Sequence, residues 1–385
     1  MQRHYGMDWL RIGAFALLIL YHVGMVFVPW NFHIKSSHIE DWATLPMLAT
    51  NPWRLTLLFV VSGYASRALL ARSSGVGGFL ANRSYRLLLP LIFGMAVVVA
   101  PQPWVELVVK HGYAGGFAGF WLHDYFGFRP LAGVALPTWN HLWFVVYLWI
   151  YTVVLAAALA LIRMPALQRA FDRVAGGIGV LLLPAAYFVC IHAWWFPMAA
   201  ETHALFGDWM AHASYFPAFL FGFALAGSPP AMAAIARWWP AGALCAMLGY
   251  AAVVAVELRW PGNTPAPRWV YQPYGAAHAI QQWAAIVALI GVAERWWNRD
   301  APVRAMLTEA VFPFYLIHQT IIVVVMYWLL PAGLPGWAEF AILVLATVAG
   351  CWAFYVGGRA LPWLRPLIGL RRRPGARPAT QPALL

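Results

Sequence analysis

Asp8-Trp9-Leu10-Arg11, followed by the apolar run Ile12–Leu20 and then Tyr21-His22, is the stretch that decides the fold. The apolar character continues to Pro29, so residues 10–29 are about long enough to cross a bilayer as one helix. Ten residues separate Arg11 from His22, which corresponds to about 16 Å along a helix axis and nearly three full turns. We therefore expect both side chains on one face, with Arg11 at a membrane surface and His22 near mid-membrane.

An imidazole at mid-membrane is energetically expensive and is, by default, a candidate functional group. The alternative is a His that only forms a hydrogen bond to a neighbouring helix for packing.

The composition is that of a membrane protein. The chain has 385 residues, of which 63% are hydrophobic and 10% are charged, whereas soluble domains average about 25% charged residues. The first apolar run is too long for a cleavable signal peptide. The net charge of +12 is spread along the flanks of the apolar runs, so we expect no nucleic-acid partner. We also expect no metal site, because Cys190, Cys245 and Cys351 all lie inside apolar runs.

Ten apolar runs predict an all-α polytopic membrane protein with about ten transmembrane helices. The runs are residues 10–29, 52–71, 86–101, 139–162, 177–197, 212–227, 238–257, 274–294, 310–330 and 337–357. We expect residues 1–365 to form a single transmembrane domain. Residues 366–385 are basic and rich in Pro, and they are predicted to be a disordered cytoplasmic tail.

The basic residues predict the orientation. Of the 25 Lys and Arg residues, all but six lie on the side of the N-terminus, so the positive-inside rule places both termini in the cytoplasm. The six exceptions are Lys35, Arg54, Lys110, Arg129, Arg259 and Arg268. Two long loops, residues 30–51 and 102–138, are predicted on the opposite side.

Several predicted spans carry polar side chains at mid-membrane depth, where they must find partners. Counting inward from the cytoplasmic edge places His22 and His318 at about the same depth. The other candidates near this level or at the outer edge are Arg54, Tyr64, Asn140, His141, Gln281 and Gln282. Convergence of these residues favours a catalytic or transport centre over isolated packing contacts.

Acid–base chemistry and anion binding are the two activities that these residues predict. A His at mid-membrane, below an outer vestibule, is suited to act as the general base for a hydroxyl. Arginines clustered near the cytoplasmic edge are suited to hold a phosphorylated cytosolic ligand. The alternative is that these charges only set the membrane topology. The cluster comprises Arg11, Arg67, Arg72, Arg83 and Arg86.

Five motifs in order resemble the membrane acyltransferase-3 family across residues 5–360. Arg11-x10-His22 resembles the family's first-span motif, and Leu58-Phe59-Val60-Val61-Ser62-Gly63-Tyr64 resembles its "FFxxSGY" stretch. Arg83-x2-Arg86-Leu-Leu-Leu-Pro90, His141-Leu142-Trp143-Phe144 and Tyr315-Leu316-Ile317-His318-Gln319 resemble three further stretches. With Asp8 before Arg11 and Arg54 before the second motif, the layout is most similar to the branch that contains osmoregulated periplasmic glucan succinyltransferases.

The resemblance implies an enzyme of a bacterial inner membrane. Its members move an acyl group from cytosolic acyl-coenzyme A to an extracytoplasmic hydroxyl, commonly on a glycan, and their x10 motif corresponds here to Arg11 and His22. We accordingly expect acetyl or succinyl transfer to a glucan, with acyl-coenzyme A as co-substrate and no permanently bound cofactor. Candidates to bind the donor are Arg11, Arg67, Arg83 and Arg86. Candidates to orient His22 or hold the acceptor are Asp8, Arg54, Tyr64, Asn140, His141, Gln281, Gln282, Glu309 and His318.

Two alternatives stay open at this stage. Transfer is either direct, with His22 as the base, or proceeds through an acyl-His intermediate. A small-molecule transporter or flippase with a polar mid-membrane site would also contain buried His and Gln, but it would not need the Arg-x10-His face.

Overall fold

The structure is a computed structural model that describes residues 4–161, 164–196, 201–262 and 264–372. Within these ranges the chain is helical and contains no strand. The first half comprises α1 (Tyr5–Gly24), α2 (Thr44–Leu48), α3 (Asn51–Leu70), α4 (Gly75–Phe93), α5 (Pro101–His111), α6 (Phe117–Gly119) and α7 (Trp143–Leu161). The second half comprises α8 (Met164–Ala175), α9 (Gly179–Val189), α10 (Trp209–Leu225), α11 (Pro229–Arg259), α12 (Arg268–Val292), α13 (Pro302–Leu329), α14 (Gly336–Ala360) and α15 (Leu364–Leu367).

Each of the ten predicted apolar runs overlaps one long helix. Seven helical segments in the described ranges are long and apolar enough to cross a membrane, or eight if a pair bent by 95° is one span. The seven are Tyr5–Gly24, Gly75–His111, Asn140–Leu161, Pro229–Arg259, Arg268–Trp297, Pro302–Ala332 and Gly336–Ala360; the bent pair is Met164–Ala175 with Gly179–Trp195. The chain is thus a multi-pass helical membrane protein, while ten spans and cytoplasmic termini stay predictions.

Local sequence explains where several helices begin and end. Pro lies at the first or second position of α3, α5, α11 and α13, where its missing N–H costs no hydrogen bond. The side chains of Asp208 and Ser228 accept hydrogen bonds from the first turns of α10 and α11. Gly112 ends α5 in a left-handed conformation with a φ of 67°.

The prediction that residues 102–138 begin as a loop at Pro101 is wrong. A π-helical turn, Gly94–Val98, leads into α5, and Pro101 starts that helix instead of ending the previous one. Proline is tolerated at a helix start, so it marks a bend here and not a stop. The bend brings Gln102 into the protein interior, where it is fully buried.

Helices α3 and α10 pack closely through two glycines. A Cβ atom on Gly63 would overlap the carbonyl oxygen of Phe219, and one on Gly222 would overlap the carbonyl oxygen of Val60. Small residues at such crossings let helix backbones approach within a membrane. Gly63 belongs to the Ser62-Gly63-Tyr64 motif, so part of that motif serves helix packing.

The predicted C-terminal tail starts inside the packed bundle. Ile368 is fully buried and Leu370 is nearly so. The backbone oxygens of Arg359 and Arg371 accept hydrogen bonds from the Arg365 guanidinium. Residues 373–385 lie outside the described residues.

Candidate functional site

His22 and His318 meet at the centre of the bundle. His22 lies on α1 and His318 on α13, and their Nδ1 and Nε2 atoms are 2.8 Å apart. The two rings are nearly parallel, with centroids 5.0 Å apart. His318 is fully buried, whereas His22 is partly exposed. The contact is in keeping with the expectation that these two residues share one depth, which stays a prediction.

The hydrogen-bond network determines which nitrogen of His22 carries a proton. His318 Nδ1 lies 2.7 Å from the carbonyl oxygen of Tyr315, which can only accept. In neutral His318, Nε2 therefore accepts, and the hydrogen between the rings comes from His22 Nδ1. His22 Nε2 then carries a lone pair, and no described residue donates a hydrogen bond to it.

His141 supports the pair from its other side. Its ring centroid lies 5.0 Å from that of His318, in an edge-on arrangement. His141 Nε2 donates to the carbonyl oxygens of Tyr315 and Leu316, each at 3.2 Å. The Tyr315 hydroxyl donates to the backbone oxygen of His141. His141 therefore fixes the segment of α13 that carries His318.

A polar network centred on Gln102 surrounds this arrangement. The Gln102 side-chain oxygen accepts from Asn140 Nδ2 and from Gln319 Nε2, each at 3.0 Å. Its nitrogen donates to Thr320 Oγ1 at 2.7 Å, and Thr320 donates to the backbone oxygen of Val98. The network thus joins α13 to the bend before α5.

Arg54 lies beside Tyr21, the residue before His22. Its guanidinium carbon is 3.5 Å from the centre of the Tyr21 ring, and Arg54 is only 3% exposed. Its Nε and Nη1 atoms are buried and have no hydrogen-bond partner among the described residues. The Tyr21 hydroxyl donates to Asn51 Oδ1 at 3.2 Å.

A cavity of about 1420 Å³ opens where α1, α3, α4 and α13 meet, and we call it the basic cavity. Seven arginines line it, with only two carboxylates, Asp8 and Glu309. The arginines are Arg11, Arg72, Arg83, Arg86, Arg365, Arg371 and Arg372. Such a surface is suited to phosphate groups.

Each carboxylate of the basic cavity is engaged by an arginine, Asp8 by one outside the lining and Glu309 by one within it. Asp8 accepts from Arg304 at 2.5 Å, and Glu309 lies 3.4 Å from Arg365. Arg11 donates to the backbone oxygen of Thr308 at 3.1 Å. The lining therefore keeps a strong positive charge.

Three aromatic rings form the inner wall of the basic cavity, and we call them the aromatic wall. Phe15, Phe144 and Tyr315 line the cavity and contact one another, with ring centroids 5.5 to 6.4 Å apart. Phe15 lies between Arg11 and His22 on the same face of α1. Because the Tyr315 backbone oxygen accepts from His318, this wall also borders the histidine pair.

Comparison with known proteins decides the class of protein. A family profile described as an acyltransferase domain matches residues 4–356. The chain belongs to this acyltransferase family. The match agrees with the resemblance of its motifs and supports an enzyme over the transporter alternative.

The acyltransferase is also similar to two proteins named Glucans biosynthesis protein C, from Escherichia coli strains K12 and O1:K1 / APEC. Each is 27% identical over 151 residues, which cover 39% of this chain and 37% of the relative. The match thus spans little more than a third of the relatives' length. No solved structure matches.

Six other predicted residues of the acyltransferase lie away from the histidine pair. Tyr64 lines the basic cavity together with Asp8 and Glu309. Gln281 donates to backbone oxygens of Leu48 and Ala49. Gln282 bonds to His192 and Thr56. Arg67 donates to Gln168 and does not line the basic cavity.

Sequence reasoning missed Gln102, Gln319 and Thr320 as part of the acyltransferase site. Gln102 falls in the segment that was predicted to be a loop, although its place one residue after Pro101 was a signal of a helix start. Gln319 and Thr320 follow His318 directly and share its turn of helix. Among the described residues, no group of three His, Cys, Asp or Glu side chains could hold a metal ion.

Proposed function

We propose that this acyltransferase moves an acyl group from cytosolic acyl-coenzyme A to a hydroxyl of an extracytoplasmic glycan, with His22 as the general base. The observation that carries the proposal is the His22–His318 hydrogen bond. It leaves the lone pair of His22 Nε2 available on a partly exposed ring, which is what a base for an incoming hydroxyl requires.

The donor's nucleotide part would occupy the basic cavity. The 3′-phosphate and pyrophosphate of coenzyme A are anionic, and guanidinium groups form strong charge-assisted hydrogen bonds with phosphate. Arg83 is suited to this role because its buried Nε has no hydrogen-bond partner among the described residues. Arg11 is about 16 Å from His22 along α1, so it would bind the donor and not the reacting atoms.

The pantetheine arm would run inward along α1 past Phe15. The aromatic wall lines the basic cavity and His22 does not, so the rings of this wall would have to rotate for the thioester to reach His22. Phe15 is seven residues before His22, about 10 Å along the helix, a distance that the flexible arm can span.

The reaction follows from the tautomer of His22. His22 Nε2 takes the proton of the acceptor hydroxyl as its oxygen bonds to the thioester carbonyl carbon. The carbon–sulfur bond then breaks, and the same proton passes from His22 to the leaving coenzyme A thiolate. General-base assistance of this kind typically contributes about 10²- to 10⁴-fold to a rate.

Arg54 supports a donor with a second carboxylate, such as succinyl-coenzyme A. Buried guanidinium nitrogens without a hydrogen-bond partner are costly, and Arg54 offers two of them next to Tyr21 and His22. The distal carboxylate of a succinyl group would accept hydrogen bonds from these two nitrogens. The names of the two relatives support a glucan as the acceptor. The long apolar helices, together with relatives from a bacterium, support a bacterial inner membrane as the location.

The test is transfer by purified protein in nanodiscs, with acetyl- and succinyl-coenzyme A offered in turn and a β-glucan as acceptor. Coenzyme A should be separated by chromatography, because Cys190, Cys245 and Cys351 are free thiols that would react with thiol dyes. We expect acylated glucan from the parent and a loss of at least about 10²-fold in His22→Ala. Absence of binding and turnover across a wider panel of acyl-coenzyme A donors would exclude this function.

Two further experiments test which acyl group is transferred and whether transfer is direct. Arg54→Gln should reduce succinyl transfer more than acetyl transfer, with the exposed outer Arg268→Gln as its matched control. Incubation with donor alone, followed by mass spectrometry of the peptide that contains His22, tests for an acyl-His intermediate. An acyl mass on His22 would replace direct transfer by a two-step route.

A further inference from the structure

A second cavity of about 360 Å³ lies at the N-terminal end of α3, where Asn51 and Leu55 line it. The basic cavity is lined by the other end of the same helix, through Val61 and Leu69. The two cavities are therefore at opposite ends of α3. We call the smaller one the α3 cavity.

The walls of the α3 cavity carry hydrogen-bonding groups and aromatic rings but no Lys or Arg among the described residues that line it. His192, Glu201, His278 and Gln282 provide donors and acceptors, and Phe196 and Tyr274 provide ring faces. The missing cations disfavour an anionic ligand. The mixture of hydroxyl-binding groups and rings suits a neutral sugar.

His278 points to a ligand most directly. Its ring contacts His192 and Tyr274, with centroids 5.4 and 6.3 Å away, yet no described residue forms a hydrogen bond to its nitrogens. Polar groups inside a membrane protein need hydrogen-bond partners. A ligand hydroxyl in the cavity would supply one.

The carboxylate of Glu201 can accept further hydrogen bonds. Its two oxygens accept from the single Tyr215 hydroxyl at 2.7 and 2.8 Å, and one of them lies 3.2 Å from His203 Nε2. An ionised carboxylate can accept about four hydrogen bonds. The remaining sites are available to sugar hydroxyls.

The α3 cavity is linked through Asn51 to Tyr21, the residue before His22. Asn51 lines the cavity, and its side-chain oxygen accepts from the hydroxyl of Tyr21, which directly precedes His22. Asn51 therefore separates a ligand held in the cavity from the hydroxyl of Tyr21, whose neighbour in the chain is the proposed base.

We propose that the α3 cavity binds the terminal neutral sugar of the acceptor and that His278 and Glu201 hold its hydroxyls. This assignment rests on the proposed function, because it gives the acceptor a place near Tyr21, the residue before His22. The volume is near the lower end of the range of about 300–1,000 Å³ typical of small-molecule sites. The cavity thus admits one sugar unit of a glycan and excludes the polymer beyond it.

The experiment compares His278→Phe and Glu201→Gln with the parent, in full-length protein. Phe keeps a ring but removes both nitrogens, and Gln keeps the shape of Glu without its charge. The probe is a β-linked glucose disaccharide, offered with whichever of acetyl- or succinyl-coenzyme A the parent uses. The matched control is His123→Phe, at an exposed His outside this cavity.

We expect the KM for the disaccharide to rise about tenfold in each cavity variant, the effect of one lost hydrogen bond. The KM for the donor and the hydrolysis of donor without sugar should stay within about twofold of the parent. His123→Phe should match the parent in every measurement. Size-exclusion chromatography and melting temperature show whether each variant is folded.

A second measurement separates this inference from the proposed function. The disaccharide alone, without donor, should raise the melting temperature of the parent and of His123→Phe but not of His278→Phe. If the parent transfers no acyl group yet shows this His278-dependent shift, the proposed function fails and the sugar site stands. If folded His278→Phe and Glu201→Gln keep the parent's KM for the sugar, or the sugar shifts no melting temperature, the sugar site is wrong.

Discussion

His22 Nδ1 on α1 lies 2.8 Å from His318 Nε2 on α13, although 295 residues separate the two histidines in the chain. The contact does more than hold two helices together. His318 Nδ1–H donates a hydrogen bond to the Tyr315 carbonyl oxygen. When both rings are neutral, only one hydrogen therefore lies between them. His318 therefore sets the tautomer of His22 and leaves His22 Nε2 unprotonated.

The first prediction concerns this positioning role of His318. His318→Phe removes the acceptor for His22 Nδ1, so both tautomers of His22 become populated. A typical hydrogen bond contributes about 0.5–1.5 kcal/mol, so kcat should fall roughly tenfold while the KM for the donor stays the same. Steady-state kinetics on purified protein measures both quantities.

His318→Gln is the matched control, because its side-chain oxygen can still accept from His22 Nδ1. It should recover part of the lost kcat. If the Phe and Gln variants are folded and lose kcat equally, His318 does not act through the hydrogen bond. If the KM for the donor rises instead of kcat falling, His318 belongs to the binding site for the donor.

The second prediction concerns the arginines of the basic cavity. Arg86→Gln should raise the KM for acyl-coenzyme A by about 10- to 100-fold, since a hydrogen bond to a charged group contributes about 1.5–3 kcal/mol. Arg83→Gln should act similarly. Arg268→Gln removes an exposed cation that does not line the basic cavity and should leave this KM unchanged.

A donor that lacks the 3′-phosphate identifies which arginine meets that group. The parent should bind the donor without the 3′-phosphate more weakly than the intact donor. A variant that lacks the arginine in contact with this phosphate should bind the two donors equally well. Additive losses in both arginine variants would mean that neither contacts the 3′-phosphate. An unchanged KM in both variants with the intact donor would contradict a nucleotide site in this cavity.

The pairing of His22 with His318 could be predicted because helix geometry converts sequence position into membrane depth. His22 follows Arg11, and His318 follows Glu309, by a similar number of positions. Both spans run in the same direction. The close approach of α3 and α10 at Gly63 could not be predicted, since a single sequence does not show which helices are neighbours. The Ser62-Gly63-Tyr64 motif indicated that Gly63 has a special role, but it did not identify the helix that Gly63 contacts.

The Gln102 network was missed for a physical reason. A proline inside an α-helix ends it, but a proline is also favoured at the first position of a helix. Pro101 follows a π-helical turn and begins α5. Counting residues along the spans likewise did not separate Glu309 and Asp8 from the residues around His22. Only the three-dimensional packing assigns them to the basic cavity.

The third prediction concerns the α3–α10 crossing. Gly63→Ala inserts a methyl group where a Cβ would overlap the backbone of Phe219, so the helices must separate. Overpacking of this kind costs about 1–3 kcal/mol, and the melting temperature should fall. Gly77→Ala, in α4 with open space around it, should leave stability equal or higher by up to about 1 kcal/mol because Ala favours the helix. Equal melting temperatures for the two variants would show that the crossing tolerates a wider separation.

The fourth prediction concerns Lys35 in the loop after α1. Its ammonium donates to the backbone oxygens of Met25, Val28 and Trp30, the last at 2.8 Å. Lys35→Met leaves these three carbonyls without that donor. Because an unsatisfied buried group costs about 1–3 kcal/mol, the melting temperature should fall. Thermal unfolding of the parent and of Lys35→Met in detergent measures the effect.

Lys35 also predicts a dependence on pH. Burial lowers the pKa of Lys35 from 10.5 to about 8. Between these two values the unfolded chain binds more protons than the folded protein, so the free energy of unfolding rises with pH in that window. The difference in melting temperature between the parent and Lys35→Met should therefore be larger at pH 9.5 than at pH 7.5. A difference that shrinks over this interval would mean that the three carbonyls hold Lys35 in its charged form, with a pKa at or above its ordinary value.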